Sequence, residues 1–173
     1  MSSIAIANII RFIGLVLLQV LVVKQIELGP IGGSVIQFYV YPLFVLLLPL
    51  RMSKEIILLL GFLLGITVDL FYDSAGLHAS ATVFMAFARP YVLRGVEPRA
   101  GYDKTKGLTP ARINWNWFAR YGGLLVFLHS LWFHVVDTFN FALLGTILLK
   151  TTISFAFSML FIFILVLIFN PKD

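Results

Sequence analysis

The sequence contains no cysteine, which excludes a disulfide framework and thiolate metal ligands. Charge is scarce as well. Asp, Glu, Lys and Arg make up 12% of the 173 residues, and none occurs between Ile56 and Val68. Neither HExxH nor a paired-histidine spacing is present, so nothing specifies a metal site and no cofactor is expected. What the chain has instead is apolar surface: 60% of its residues are hydrophobic and the mean hydropathy is +0.98. The apolar residues fall in blocks near the roughly 20 residues that a helix needs to cross about 30 Å of hydrocarbon. A β-barrel would show short alternating segments instead. The expected fold class is therefore an all-α integral membrane protein.

Residues 1–173 read as a single transmembrane domain. Helices are expected at about 5–24, 35–50, 55–72, 76–94, 116–138 and 144–169, with a cytoplasmic basic loop at 95–115. The first apolar block ends in VVKQIELGP without a small-residue cleavage site, so it is expected to be retained. The second block is short, and Pro42 and Pro49 should kink or end it.

With the N-terminus inside, cytoplasmic segments hold Arg51, Lys54, Arg94, Arg99, Lys104, Lys106, Arg112, Arg120 and Lys172, against Lys24 and Lys150 outside. That bias predicts two cytoplasmic termini. It also accounts for the net charge of +5 without a nucleic-acid partner. The loop cations Arg94, Arg99, Lys104, Lys106 and Arg112 are expected to set topology and meet anionic lipid headgroups. Docking of a cytoplasmic partner is the sharper alternative for them. Trp115, Trp117 and Tyr121 are expected in the interfacial aromatic belt.

Asp69 follows the uncharged run. Gly61, Gly65 and Asp69 recur every fourth residue and share one helix face, so the carboxylate should point into a helix interface. The next helix offers a small-residue surface that includes Gly76 and Ala79, with His78 between them. The short link FYDSAG makes the two helices neighbours, bringing Asp69, Asp73 and His78 to an outer tip. A second outer polar cluster, His129, Ser130, His134 and Asp137, lies on the fifth helix. Its Ser, His, Asp spacing resembles a nucleophile, base and orienter, but no oxyanion-hole motif accompanies it. Catalysis is not expected. On the first helix Asn8, Arg11 and Gln19 share one arc, and Gln19 needs a partner within the bundle.

The run Gly61, Gly65, Asp69, Leu70, then Gly76, Leu77 and Ala79, resembles the rod shape-determining protein MreD family. Gln19 ending the first helix and Leu48-Pro49 closing the second add to it. The family pattern is G-x3-G-x3-D-L, a turn, then L-G-x-x-A; here the turn reads AGLHA, displaced by one position. The match covers the first half of the chain. The second half agrees only in arrangement, a hydrophilic inner loop followed by two spans.

The resemblance implies a non-enzymatic scaffold of the bacterial elongation complex, in the cytoplasmic (inner) membrane, supporting cell shape and side-wall peptidoglycan synthesis. Implied partners are MreC and, indirectly, MreB filaments, RodA and the elongation transpeptidase. The implied fold is a six-transmembrane-helix bundle similar to the substrate-binding subunits of energy-coupling-factor transporters. That fold keeps a second function open: a vitamin- or metal-capture subunit of a transporter, its outward pocket lined by His78, His129, His134 and Asp137.

Overall fold

Caps and turn residues divide the chain into its elements. A computed structural model describes residues 3–26, 28–31, 34–99, 101–102 and 108–169. Lys104, Lys106 and Lys172 of the predicted inner cations lie outside the described residues. The helices are α1 (Ser3–Leu21), α2 (Leu43–Leu47), α3 (Lys54–Tyr72), α4 (Leu77–Gly95), α5 (Trp115–Thr138) and α6 (Leu144–Phe169). Two short strands, β1 (Leu28–Ile31) and β2 (Ser34–Ile36), pair antiparallel after α1. The Ser53 hydroxyl accepts the Ile56 N–H and opens α3, and Asn114 Oδ1 accepts the Trp117 N–H and opens α5. Asp73, at φ 51°, closes α3 in the left-handed region.

Among the described residues, three stretches are long and apolar enough to cross a membrane: Ala5–Gln25, Lys54–Tyr72 and Phe141–Phe169. Helices α4 and α5 have comparable length, 19 and 24 residues, but carry the polar side chains. His78, Thr82 and Arg89 of α4 and His129, Ser130 and His134 of α5 are buried among helices. Hydropathy falls where a helix has protein rather than lipid for a neighbour.

The expected helix at 35–50 is not formed. Only Leu43–Leu47 is helical there, between Pro42 at its N-cap and Pro49 two residues past its end. Five residues rise about 7.5 Å, far short of a bilayer. Ahead of Pro42 the chain is non-helical, and Phe38, Tyr39, Val40 and Tyr41 are all buried. Buried backbone of this kind needs hydrogen-bond partners from elsewhere.

Those partners are side chains. The Gln19 amide donates through Nε2 to the Phe38 carbonyl at 2.9 Å and accepts the Val40 N–H through Oε1 at 2.9 Å. It therefore acts as the neighbouring strand that the segment lacks. Ser158 Oγ accepts the Tyr39 N–H at 2.8 Å from α6. The segment then descends along α5: Tyr41 Oη lies 2.7 Å from His129 Nε2, and the Leu46 carbonyl accepts from Tyr121 Oη at 3.1 Å. Gln19→Leu orphans two buried backbone groups at about 1–3 kcal/mol each. It is expected to destabilise the protein by about 2–6 kcal/mol in detergent unfolding, and a loss under about 1 kcal/mol would show that the backbone finds other partners.

Helices α3 and α4 approach closely along the glycine stripe. A Cβ on Gly65 would stand 2.4 Å from Ala79 Cα and 2.7 Å from the His78 carbonyl oxygen; one on Gly61 would stand 3.2 Å from Ala86 Cβ. The four-residue stripe therefore faces α4, and the absent side chains set the separation.

Candidate functional site

Helix α4 begins at Gly76, which holds φ +83° and has no side chain to cap the first amides. Asp69, reaching across from α3, supplies the missing acceptor. Its Oδ1 accepts the His78 N–H at 3.0 Å and its Oδ2 the Ala79 N–H at 2.9 Å. These are the second and third residues of α4, where a capping carboxylate is favoured by both hydrogen bonding and the helix dipole. The same Oδ1 accepts from Ser74 Oγ at 2.5 Å and lies 3.0 Å from His78 Nδ1. A carboxylate only accepts, so His78 donates to it through Nδ1. His78 Nε2, at the other side of the ring, has no hydrogen-bond partner among the described residues.

His78 opens onto a collar of rings contributed by the descending segment and by α5. Tyr39 stands at its centre, with ring centroids 6.1 Å from His78, 5.1 Å from His129, 6.4 Å from His134 and 5.1 Å from Phe133. Tyr72 packs against His78 at 4.8 Å. His134 Nε2 lies 3.0 Å from Ser154 Oγ on α6. Four buried atoms of the collar make no hydrogen bond among the described residues: Tyr39 Oη, His78 Nε2, His129 Nδ1 and His134 Nδ1.

The structure thus brings Gly61, Gly65, Asp69, His78 and Ala79 into one interface, with Gly76 at its edge, and places His129 and His134 against the Tyr39 ring. Asp73 and Asp137 are exposed and stay out of the buried cluster. His134 pairs with Ser154 rather than with Ser130, so the serine, histidine and aspartate of α5 form no relay. Among the described residues no three His, Cys, Asp or Glu side chains group as metal ligands.

At the other end of the bundle, Arg94 and Arg99 are exposed and Arg112 is half-buried just before α5. Trp115 is 41% exposed. Trp117 and Tyr121 instead turn inward, buried and stacked at 4.8 Å, which corrects the expectation that both join the aromatic belt. Tyr121 is drawn in by Arg89, whose Nε donates to its hydroxyl at 2.9 Å and whose Nη2 donates to the Leu48 carbonyl. Sequence reasoning passed over Arg89. Its signal is a cation within α4, six residues before that helix ends at Gly95.

The described cavities have volumes of about 440, 170 and 450 Å³, and no histidine lines any of them. No family model, no curated protein and no solved structure matches this chain.

Proposed function

We propose that this chain is a non-enzymatic membrane scaffold of the bacterial elongation complex, similar in role to the MreD family, which binds MreC. Through MreC it would be linked to MreB filaments, RodA and the elongation transpeptidase. Five long helices and the broken pass at 36–48 would cross the inner membrane, with the N-terminus of α1 on the cytoplasmic side.

One observation supports this reading most: α1 is the least enclosed of the three apolar stretches. Only 17% of its most apolar window is buried, and Ile10, Ile13, Leu17 and Leu21 project outward at 49–64% exposure. Gly14 lies in that face, and a Cβ there would meet nothing within 4 Å. A small residue on an outward helix face lets a second helix approach closely. The resemblance supplies the identity of that helix, the single span of MreC. Asp69 and Gly65 are buried and act on such a partner only through the fold.

Gly14→Leu meets no intramolecular obstacle and is expected to leave folding unchanged while lowering co-purification of MreC at least tenfold. Gly145→Leu, equally open at the start of α6, serves as the control. Undiminished co-purification with Gly14→Leu would remove the α1 docking face. The solute-capture alternative draws on the orphaned atoms of the ring collar, but the described cavities do not reach them. Depletion in the host separates the two functions: rounding of rod cells supports the scaffold, and a growth defect rescued by a nutrient supports capture.

A further inference from the structure

Arg89 is 2% exposed, and no carboxylate lies within ion-pairing distance of it among the described residues. Its described hydrogen bonds go to a tyrosine hydroxyl and a backbone carbonyl, both neutral. These contacts tie α4 to α5 and to the end of α2. They leave the positive charge uncompensated, which is costly in a buried site. Guanidinium has five N–H donors in one plane, a geometry suited to two oxygens of a phosphate.

Beside Arg89 lies the 440 Å³ cavity between the start of α3 and the end of α4. Lys54 and Ser53 line it at the first turn of α3, whose free amides add partial positive charge. Glu55 contributes one exposed carboxylate to the same lining. The remaining wall is apolar, and it includes Phe87 and Tyr91, which are 56% and 57% exposed and face outward together. Arg89 lies six residues from the end of α4, about 9 Å along the axis, and the cavity runs from it to Lys54 at the first turn of α3. The cavity thus joins a buried cation at its floor to an apolar aromatic wall at its mouth.

We propose that this cavity is a binding site for an anionic membrane lipid, the phosphodiester held by Arg89 and Lys54 and one acyl chain laid along Phe87 and Tyr91. Charge complementarity selects the headgroup, and the apolar wall selects a lipid over a free anion. The site rests on the membrane placement of the chain and needs no partner protein, so it stands or falls separately from MreC binding.

The test is thermal unfolding of the delipidated full chain in a neutral detergent, titrated with phosphatidylglycerol, phosphatidylcholine or inorganic phosphate. Phosphatidylglycerol is expected to raise the melting temperature in a saturable way, and the other two are expected to leave it unchanged. Arg89→Gln should weaken the apparent affinity for phosphatidylglycerol at least tenfold. Because Arg89 also braces α2, the exposed Lys54→Gln provides a second readout. It should weaken affinity severalfold, while Arg51→Gln, an exposed neighbour outside the cavity lining, should not. An equal response to phosphatidylcholine, an equal response to inorganic phosphate, or equal weakening by Lys54→Gln and Arg51→Gln would each overturn the proposal.

Discussion

Asp69→Leu is expected to cost about 3–5 kcal/mol of stability and to release the first turn of α4. The carboxylate accepts two α4 amides and the Ser74 hydroxyl and pairs with His78, all in a site where Asp69 is 3% exposed. Leucine is larger than aspartate and leaves two N–H groups, the hydroxyl and the imidazole without an acceptor. Each such loss is worth about 1–3 kcal/mol when buried, although the amides near a helix start recover part of it through water. Asp69→Asn keeps one acceptor oxygen and should fall between the two. Hydrogen exchange at the amides of His78 and Ala79 checks the mechanism: protection should vanish in the leucine variant before global unfolding. Unchanged exchange there would show that Asp69 is not the cap of α4.

Gly65→Leu is the second large effect. A Cβ at this position meets backbone atoms of Ala79 and His78 at 2.4 to 2.7 Å, and backbone in a helix cannot rotate aside as a side chain can. The helices must separate, so Asp69 loses its reach to α4 in the same step. The expected loss exceeds the roughly 1–3 kcal/mol typical of overpacking, and monodisperse protein should not be recovered. Gly61→Ala sets the scale, since its Cβ would stand 3.2 Å from the Ala86 methyl, a contact that a slight shift relieves. A Gly65→Leu protein that purifies and melts like the parent would show that α3 and α4 pack more loosely than this.

These two residues also mark what a sequence can express. The Gly61, Gly65, Asp69 stripe is legible because helical periodicity alone puts i, i+4 and i+8 on one face, and the short link to α4 fixes the neighbour. The capping role is half legible. Gly76 at the start of α4 has no side-chain oxygen to offer, so some acceptor had to come from outside that helix.

The stretch 35–50 is where reading by composition fails. Residues 35–50 are apolar enough for a helix, yet Phe38 to Val40 are non-helical, with remote side chains, Gln19 and Ser158, satisfying their backbone. Hydropathy measures side chains and is blind to where main-chain hydrogen bonds go. The aromatic and β-branched run ahead of Pro42 was the available signal, and it favours extended backbone. Trp117 and Tyr121 fail for a related reason. Amphipathic rings suit an interface, but a buried guanidinium one helix away recruits the hydroxyl and turns the pair inward.

The bond from the Tyr39 amide to Ser158 spans 119 residues. A chain emerging from the ribosome has delivered α1 to α5 before that acceptor exists. Until then the segment ahead of α2 carries a main-chain donor that apolar surroundings do not satisfy. Assembly therefore has a late step. Helix α6 closes over a segment synthesised long before it, and the Tyr39 amide is satisfied only when α6 arrives.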